Sequence, residues 1–124
     1  MGTDLLFKFS VYDKVDPESK KELFGKLLAK DEPVLFHYAA TRDHVIFTDR
    51  KLIALDIQGM SGSKKEFRIF PYSKITAFSI ETAGFWDADC DFKIWVSGVG
   101  VFEIKFGKHL DIHEVGELLA SKVI

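Results

Sequence analysis

Several clusters in this 124-residue chain carry residue types that could do chemistry. Asp87-Ala88-Asp89-Cys90-Asp91 has the D-x-D-x-D spacing that opens a calcium loop. Such a loop needs a glycine at its sixth position for the sharp turn and a bidentate glutamate at its twelfth. Here those positions hold Phe92 and Gly98, so a solvated acidic strand start is expected instead. His109 and His113 stand four apart and could present two imidazoles to a metal from one helix face, but no third ligand follows and "HEVGE" is not H-E-x-x-H. His37 and His44 stand alone in strand-like segments and are expected to be structural. "GMSGS" holds no G-x-S-x-G nucleophile turn. Cys90 lies between two aspartates whose charges oppose thiolate formation. Gly98 and Gly100 do not extend to G-x-G-x-x-G, because position 103 is glutamate. No catalytic residue, metal or cofactor is expected.

Two non-catalytic patterns remain. Thr48-Asp49-Arg50-Lys51 is a polar knot between the apolar runs of "VIFTDRKLIALDIQG". Its two cations share the loop with Asp49, and Thr and Asp side chains bond nearby backbone amides, so a hairpin turn is expected over a phosphate grip. In "FKIWVSG", Phe92, Ile94 and Val96 alternate with Lys93, Trp95 and Ser97. With the first set inward, Trp95 faces outward beside Lys93, and Phe85-Trp86 lies in a glycine-flanked loop. Tryptophan buries much area at low entropy cost, so Lys93, Trp95, Phe85 and Trp86 are the candidate interaction surface. The alternative is that Trp95 packs under one of the helices.

Elements must hold these residues in place. Apolar residues make up 47% and charged residues 29%, the balance of one globular domain with a single core. The net charge of -2 gives no bulk attraction to nucleic acid or anionic lipid, and no nucleic-acid partner is expected. A single cysteine excludes an internal disulfide and fits a reducing cytoplasm. No uncharged apolar run approaches the ~18 residues of a membrane span, and the first residues lack the form of a signal peptide, so a cytoplasmic location is expected. Gly2 matches only the start of the myristoylation pattern.

Leu5 to Val11 fits either a short helix or an arm. Asp16 as N-cap, Pro17 at the first helical position and the stripe Leu23, Phe24, Leu27 and Leu28 predict a helix that Pro33 stops. The period then becomes two. Strands are expected at "PVLFHYAA", "HVIFT", "KLIALDI", "KEFRIFP", "KITAFSIET", "FKIWVSG" and "VFEIKF", the last two joined by a glycine hairpin. "HLDIHEVGELLASKVI" carries Ile112, Val115, Leu118, Leu119 and Val123 on one side of a closing helix. The expected organisation is an N-terminal arm and helix over residues 1–30 and one globular unit over residues 31–124. Seven antiparallel strands with an apolar-faced terminal helix make a β-sandwich or barrel whose open end the helix plugs.

"FTDRKLIALDIQGMSGSKKEFRIFPYSKITAFSIETAG", then "DADCDFKIWVSG" and the closing "DIHEVGELLASKVI", resemble the bacterial pleckstrin-homology (PH-like) domain family, element after element in order. The resemblance covers residues 31–124 and departs at "LLFKFSVYDKV", where the family pattern has a glycine-rich helix. It implies a mainly β, PH-like seven-stranded sandwich capped by a C-terminal helix. It further implies a cytoplasmic, non-enzymatic domain that forms a cyclic homo-oligomer, expected as a pentamer, and contacts a protein partner of unknown identity. Eukaryotic PH domains that hold phosphoinositides place several cations around the loop between their first two strands. The matching loop here offers Arg42 beside Asp43, with Lys64 and Lys65 from the next loop at that end. Arg42, Lys64 and Lys65 are therefore the candidate anion contact of an alternative reading, a phospholipid-headgroup or anion adaptor, and headgroup binding is not the expected outcome.

Overall fold

The alternating segments after Pro33 become strands where they were expected. The structure, a computed structural model, describes residues 5–82 and 89–123, with side chains described from Lys8 onward. The seven strands are β3 (Val34–Ala39), β4 (Asp43–Thr48), β5 (Lys51–Gln58), β6 (Lys64–Pro71), β7 (Ile75–Glu81), β8 (Cys90–Val96) and β9 (Gly100–Phe106). Two more precede them, β1 (Leu5–Val11) and β2 (Asp13–Val15). The closing helix is α1 (Ile112–Lys122). Strand order is β2-β3-β4-β5-β6 in one sheet and β1-β9-β8-β7 in the other. All neighbours are antiparallel except β1 and β9, which run parallel from Leu5↔Val101 to Val11↔Phe106. The fold is therefore mainly β: two sheets face each other, with a C-terminal helix.

The inner faces supply the main core. Tyr38, Val45, Phe47, Leu52 and Ala54 from the five-stranded sheet meet Phe9, Val11, Phe92, Ile94, Phe102, Ile104 and Phe106 from the four-stranded sheet. Aromatic edges interlock there, Tyr38 against Phe106 at 5.1 Å and Phe92 against Phe106 at 6.1 Å between ring centroids. The choice between helix and arm for Leu5 to Val11 resolves as strand, because alternation puts Phe9 and Val11 inward while β9 satisfies the backbone.

The expected helix after Asp16 does not form. Asp16 accepts from the Glu18 amide at 2.9 Å, and its carbonyl accepts from the Ser19 amide at 2.9 Å, a turn rather than a helix start. Lys20 then adopts φ +56°, and only two 3-10 turns follow, Lys21–Leu23 and Gly25–Leu27. Gly25 in a helix interior would cost about 1 kcal/mol relative to alanine, and an isolated helix of this length is marginal. Packing against the sheet decides instead. Residues 16–33 form a strap over the outer face of the five-stranded sheet, where Phe24 joins Val34, Ile46 and Ile53 in a second, smaller core.

Helix α1 begins at Asp111, whose side chain accepts from the His113 amide at 3.0 Å. Ile112, Val115 and Leu119 are buried and Leu118 is half-buried against the main core. Glu114 bonds Lys14 at 2.8 Å and the Tyr38 hydroxyl, while the helix also packs on β7 and the 72–74 turn. It therefore spans the open end from one sheet to the other. Gly116 allows the close approach: a Cβ there would stand 2.6 Å from Ile80 Cδ1.

Candidate functional site

The three candidate anion contacts lie at one end of the five-stranded sheet, but their charges do not converge. Arg42 donates to the carbonyls of Ile57 at 3.3 Å and Gly59 at 2.6 Å, so its guanidinium staples the β5–β6 loop. Lys64 and Lys65 are both exposed on β6, and neighbouring residues of a strand point to opposite faces. Asp43, Asp56 and Glu66 occupy one cross-strand row beside them. Burial and the neighbouring Asp56 raise the Asp43 carboxyl above its ordinary value, against a backbone hydrogen bond from Ser10. This end of the sheet carries carboxylates among its cations. The β8–β9 hairpin borders the opposite end of β6, next to Pro71 and Lys74.

The polar knot is a turn with Thr48 at its hub. Thr48 Oγ1 accepts from the amides of Arg50 and Lys51, both at 3.0 Å, and donates to Glu32 Oε2 at 2.5 Å. Lys51 Nζ reaches Glu32 Oε1 at 3.0 Å and the Leu27 carbonyl at 2.6 Å. Tyr72 donates its hydroxyl to the Thr48 carbonyl at 2.7 Å. Burial opposes ionisation of Glu32. Hydrogen bonds from Thr48, the Ala29 amide and Lys51, with the Lys51 charge, nonetheless hold its carboxyl below the ordinary value. These cations and hydroxyls clamp the strap to the sheet, with a carboxylate rather than an anionic ligand at the centre.

His37 and His44, isolated in sequence, are brought together by the hairpin register. Ala39 pairs with His44 and His37 with Ile46, so the two rings are diagonal neighbours, with His37 Nε2 2.9 Å from His44 Nδ1. Counting back from the Thr41-Arg42 turn would have found the pair. Both rings are buried, and Phe24 from the strap sets its ring edge-on to His37 at 5.5 Å. Burial, then the neighbouring His44, then Lys20, push His37 down to about 4. Burial and Lys20 lower His44 as well. His109 lies in the turn before α1 and His113 on the helix, so one helical face does not carry both. Among the described residues, no three His, Cys, Asp or Glu side chains gather to hold a metal ion.

Of the candidate interaction surface, Phe85 and Trp86 lie outside the described residues, as does Asp87 of the acidic run. Lys93 and Trp95 stand on the outer face of the four-stranded sheet, both partly exposed. Trp95 sits in the row Ala77–Trp95–Val101, two residues along from the row Ser79–Lys93–Glu103–Lys8 and on the same face. Glu103 is held between Lys8 at 2.9 Å and Lys93 at 3.9 Å. Its hydrogen bond and charge, followed by a smaller effect of Asp91, raise the Lys8 ammonium above its ordinary value against a desolvation cost. The strap lies on the other sheet and α1 at the open end, so neither covers Trp95.

Sequence reasoning missed one concave feature, a groove of 640 Å³ between the end of β6 and the β8–β9 hairpin. Phe70, Val96 and Phe102 line it, with Ile69 and Val99 exposed and Lys74 alongside. Its one legible signal was Val99, an apolar residue at a glycine-flanked hairpin tip where hydrated side chains are the norm.

The comparisons agree with this architecture. The model of the family described as "Bacterial PH domain" matches residues 4–123. The uncharacterized protein YjqA of Bacillus subtilis (strain 168) is 38% identical over 103 residues, which is 82% of each chain. Among solved structures, a DUF1696-family protein with a pleckstrin-homology domain from Shewanella loihica PV-4 superposes with a TM-score of 0.81 at 29% identity, covering 90% of this chain and 96% of its own. A pleckstrin-homology domain from Shewanella amazonensis SB2B gives 0.70 at 29% identity, covering 89% and 90%. A PH-domain-containing protein of Exiguobacterium sibiricum 255-15, at 22% identity and a TM-score of 0.67, shares the fold over 92% of this chain and 62% of its own. With its two facing sheets, capping helix and near-complete family match, the chain belongs to the bacterial PH domain family.

Proposed function

We propose that this chain is a non-catalytic cytoplasmic module that assembles into a ring of identical subunits and docks protein partners. The observation that carries this reading is Trp95, a large side chain left partly exposed on a sheet face that neither the strap nor α1 covers. The Lys8–Glu103–Lys93 ladder frames it with charges of both signs, which favours a specific contact over indiscriminate adhesion. The proposed contact is heterologous: this face, with the β1 arm at its edge, meets a different surface of the next copy, and the rotation closes. β7, the other edge strand of that sheet among the described residues, is the proposed second surface.

Gel filtration with light scattering at micromolar concentration tests the assembly. The expected mass is a multiple of 14.1 kDa greater than two, five on the family resemblance. Trp95→Glu should release monomers that keep the wild-type circular dichroism. A monomeric wild type refutes the ring. The adaptor alternative has weaker support, because Arg42 is bonded to loop carbonyls and carboxylates flank Lys64 and Lys65. Liposomes with and without phosphoinositide should sediment equally little protein, and Lys64→Glu with Lys65→Glu should leave that unchanged. Salt-sensitive sedimentation abolished by those two substitutions would reverse the order of the two readings.

A further inference from the structure

The strap over residues 16–33 and the histidine pair beneath it form one unit. His37 Nε2 and His44 Nδ1 are 2.9 Å apart, so one nitrogen donates and the other accepts, and the acceptor ring must be neutral. A proton on that acceptor would set two N–H groups against each other. His37 Nδ1 is buried and has no hydrogen-bond partner among the described residues. No described side chain is therefore placed to accept from a second N–H on that ring.

The charged group that acts on both rings is Lys20, which lies on the strap and raises the cost of a positive charge on each. Across β4 and β5, His44 faces Leu55, and His37 faces Ile46. On the β2 side, Val15 lies opposite His37, and Asp13, at the far end of the row Asp13–Ala39–His44, is exposed to solvent. Glu32 is already engaged with Lys51 and Thr48 at the far end of the strap.

The strap is held by side chains rather than by a backbone ladder. It contains two 3-10 turns and no sheet pairing, and the left-handed residues Lys20 and Asp31 stand near its ends. Among the described contacts it is held by the Phe24 cluster, with Leu23, Leu27 and Leu28 packed against it, and by the bonds of Glu32 and the Leu27 carbonyl to Thr48 and Lys51. We propose that the strap is an acid-sensitive cover: protonation of the His37–His44 pair releases residues 16–33 from the five-stranded sheet and uncovers the apolar strip Val34, Ile46, Ile53 and Phe67, while the main core between the sheets stays closed.

The sign follows from linkage. Both rings bind protons more readily in the open state, so the open population grows as pH falls below the ordinary histidine value of 6.5. The rise is about tenfold per pH unit for each proton taken up on opening. The growth ends where the closed state itself takes the proton, about 4 for His37. Glu32 is held below 4.5 and remains ionised over the upper part of this window, so the clamp does not supply the response there.

Hydrogen exchange on the full chain from pH 7 to 4.5, expressed as protection relative to intrinsic rates, tests the proposal. Protection over residues 16–33 should fall at least tenfold on acidification, while β4, β5, β8 and β9 retain theirs. His37→Gln with His44→Gln, which keeps polar groups but cannot titrate, should remove the pH dependence in the strap. Should that double variant fail to fold, His44→Gln alone and an NMR titration of the imidazole resonances of the wild-type protein replace it. Imidazole titration that coincides with strap opening supports the device. Uniform loss of protection across both sheets, an unchanged slope in the histidine variants, or a strap that stays protected at pH 4.5 would overturn it.

Discussion

Lys51→Met is expected to destabilise the fold at neutral pH by the lower end of the about 3–5 kcal/mol found on removing one partner of a buried ion pair, because Lys51 itself is partly exposed. The Glu32 side chain is fully shielded from solvent, and Lys51 is its only cationic partner among the described contacts, at 3.0 Å. Methionine fills a similar volume but leaves a buried carboxylate held only by Thr48 and the Ala29 amide. It also strips the Leu27 carbonyl of its donor, so the strap loosens with the loss of charge. The pH dependence distinguishes this from simple packing loss. In the wild type the depressed Glu32 carboxyl contributes stability above 4.5 that disappears as pH falls through its lower folded value. In Lys51→Met the carboxylate is a liability that protonation relieves. The gap between the two proteins should therefore narrow from pH 7 to pH 4 in urea unfolding followed by circular dichroism. Pairing Lys51→Met with Glu32→Gln should recover most of the loss. A gap that is constant with pH, or a double variant no better than the single, would show that the clamp is not electrostatic.

Leu119→Asp is expected to leave no cooperatively folded domain. Leu119 is fully buried in the main core, and an unpaired carboxylate there costs several kcal/mol on top of the lost apolar contacts, against a total stability of about 5–15 kcal/mol. Leu118→Asp is the graded control. Leu118 is only partly buried, so its carboxylate can turn toward water, and a lowered but still cooperative melt is expected. Truncation before Asp111 should match Leu119→Asp, because it removes Ile112, Val115 and Leu119 together and opens the end that α1 covers. Thermal melts and heteronuclear NMR spectra would check all three. Sharp, dispersed spectra for the truncated chain would mean that the two sheets hold the core without the helix.

The sequence alone carried most of the sandwich, because its signals are local. Period-two alternation after Pro33, the Gly98–Gly100 hairpin and the Asp111-capped stripe on α1 each need only neighbouring residues to specify an element. The outward side of Trp95 followed from the same alternation. What tertiary structure decided were the places where local preference was weak or where partners came from far along the chain. Asp16-Pro17 and the Leu23–Leu28 stripe are an adequate helix signal, but the sheet's outer face, Gly25 and the Lys51 ammonium selected 3-10 turns. Leu5 to Val11 became a strand only because β9, nearly a hundred residues later, offered a parallel edge to its backbone. Arg42 could not be recognised as a staple until the Gly59 carbonyl came within 2.6 Å. The histidine pair, the Glu32 clamp and the groove beside Val99 all join residues whose contact depends on register and sheet packing. That is where the physical reason lies: an amphipathic pattern says which face of a segment avoids water, and only the assembled fold says which atoms meet it there.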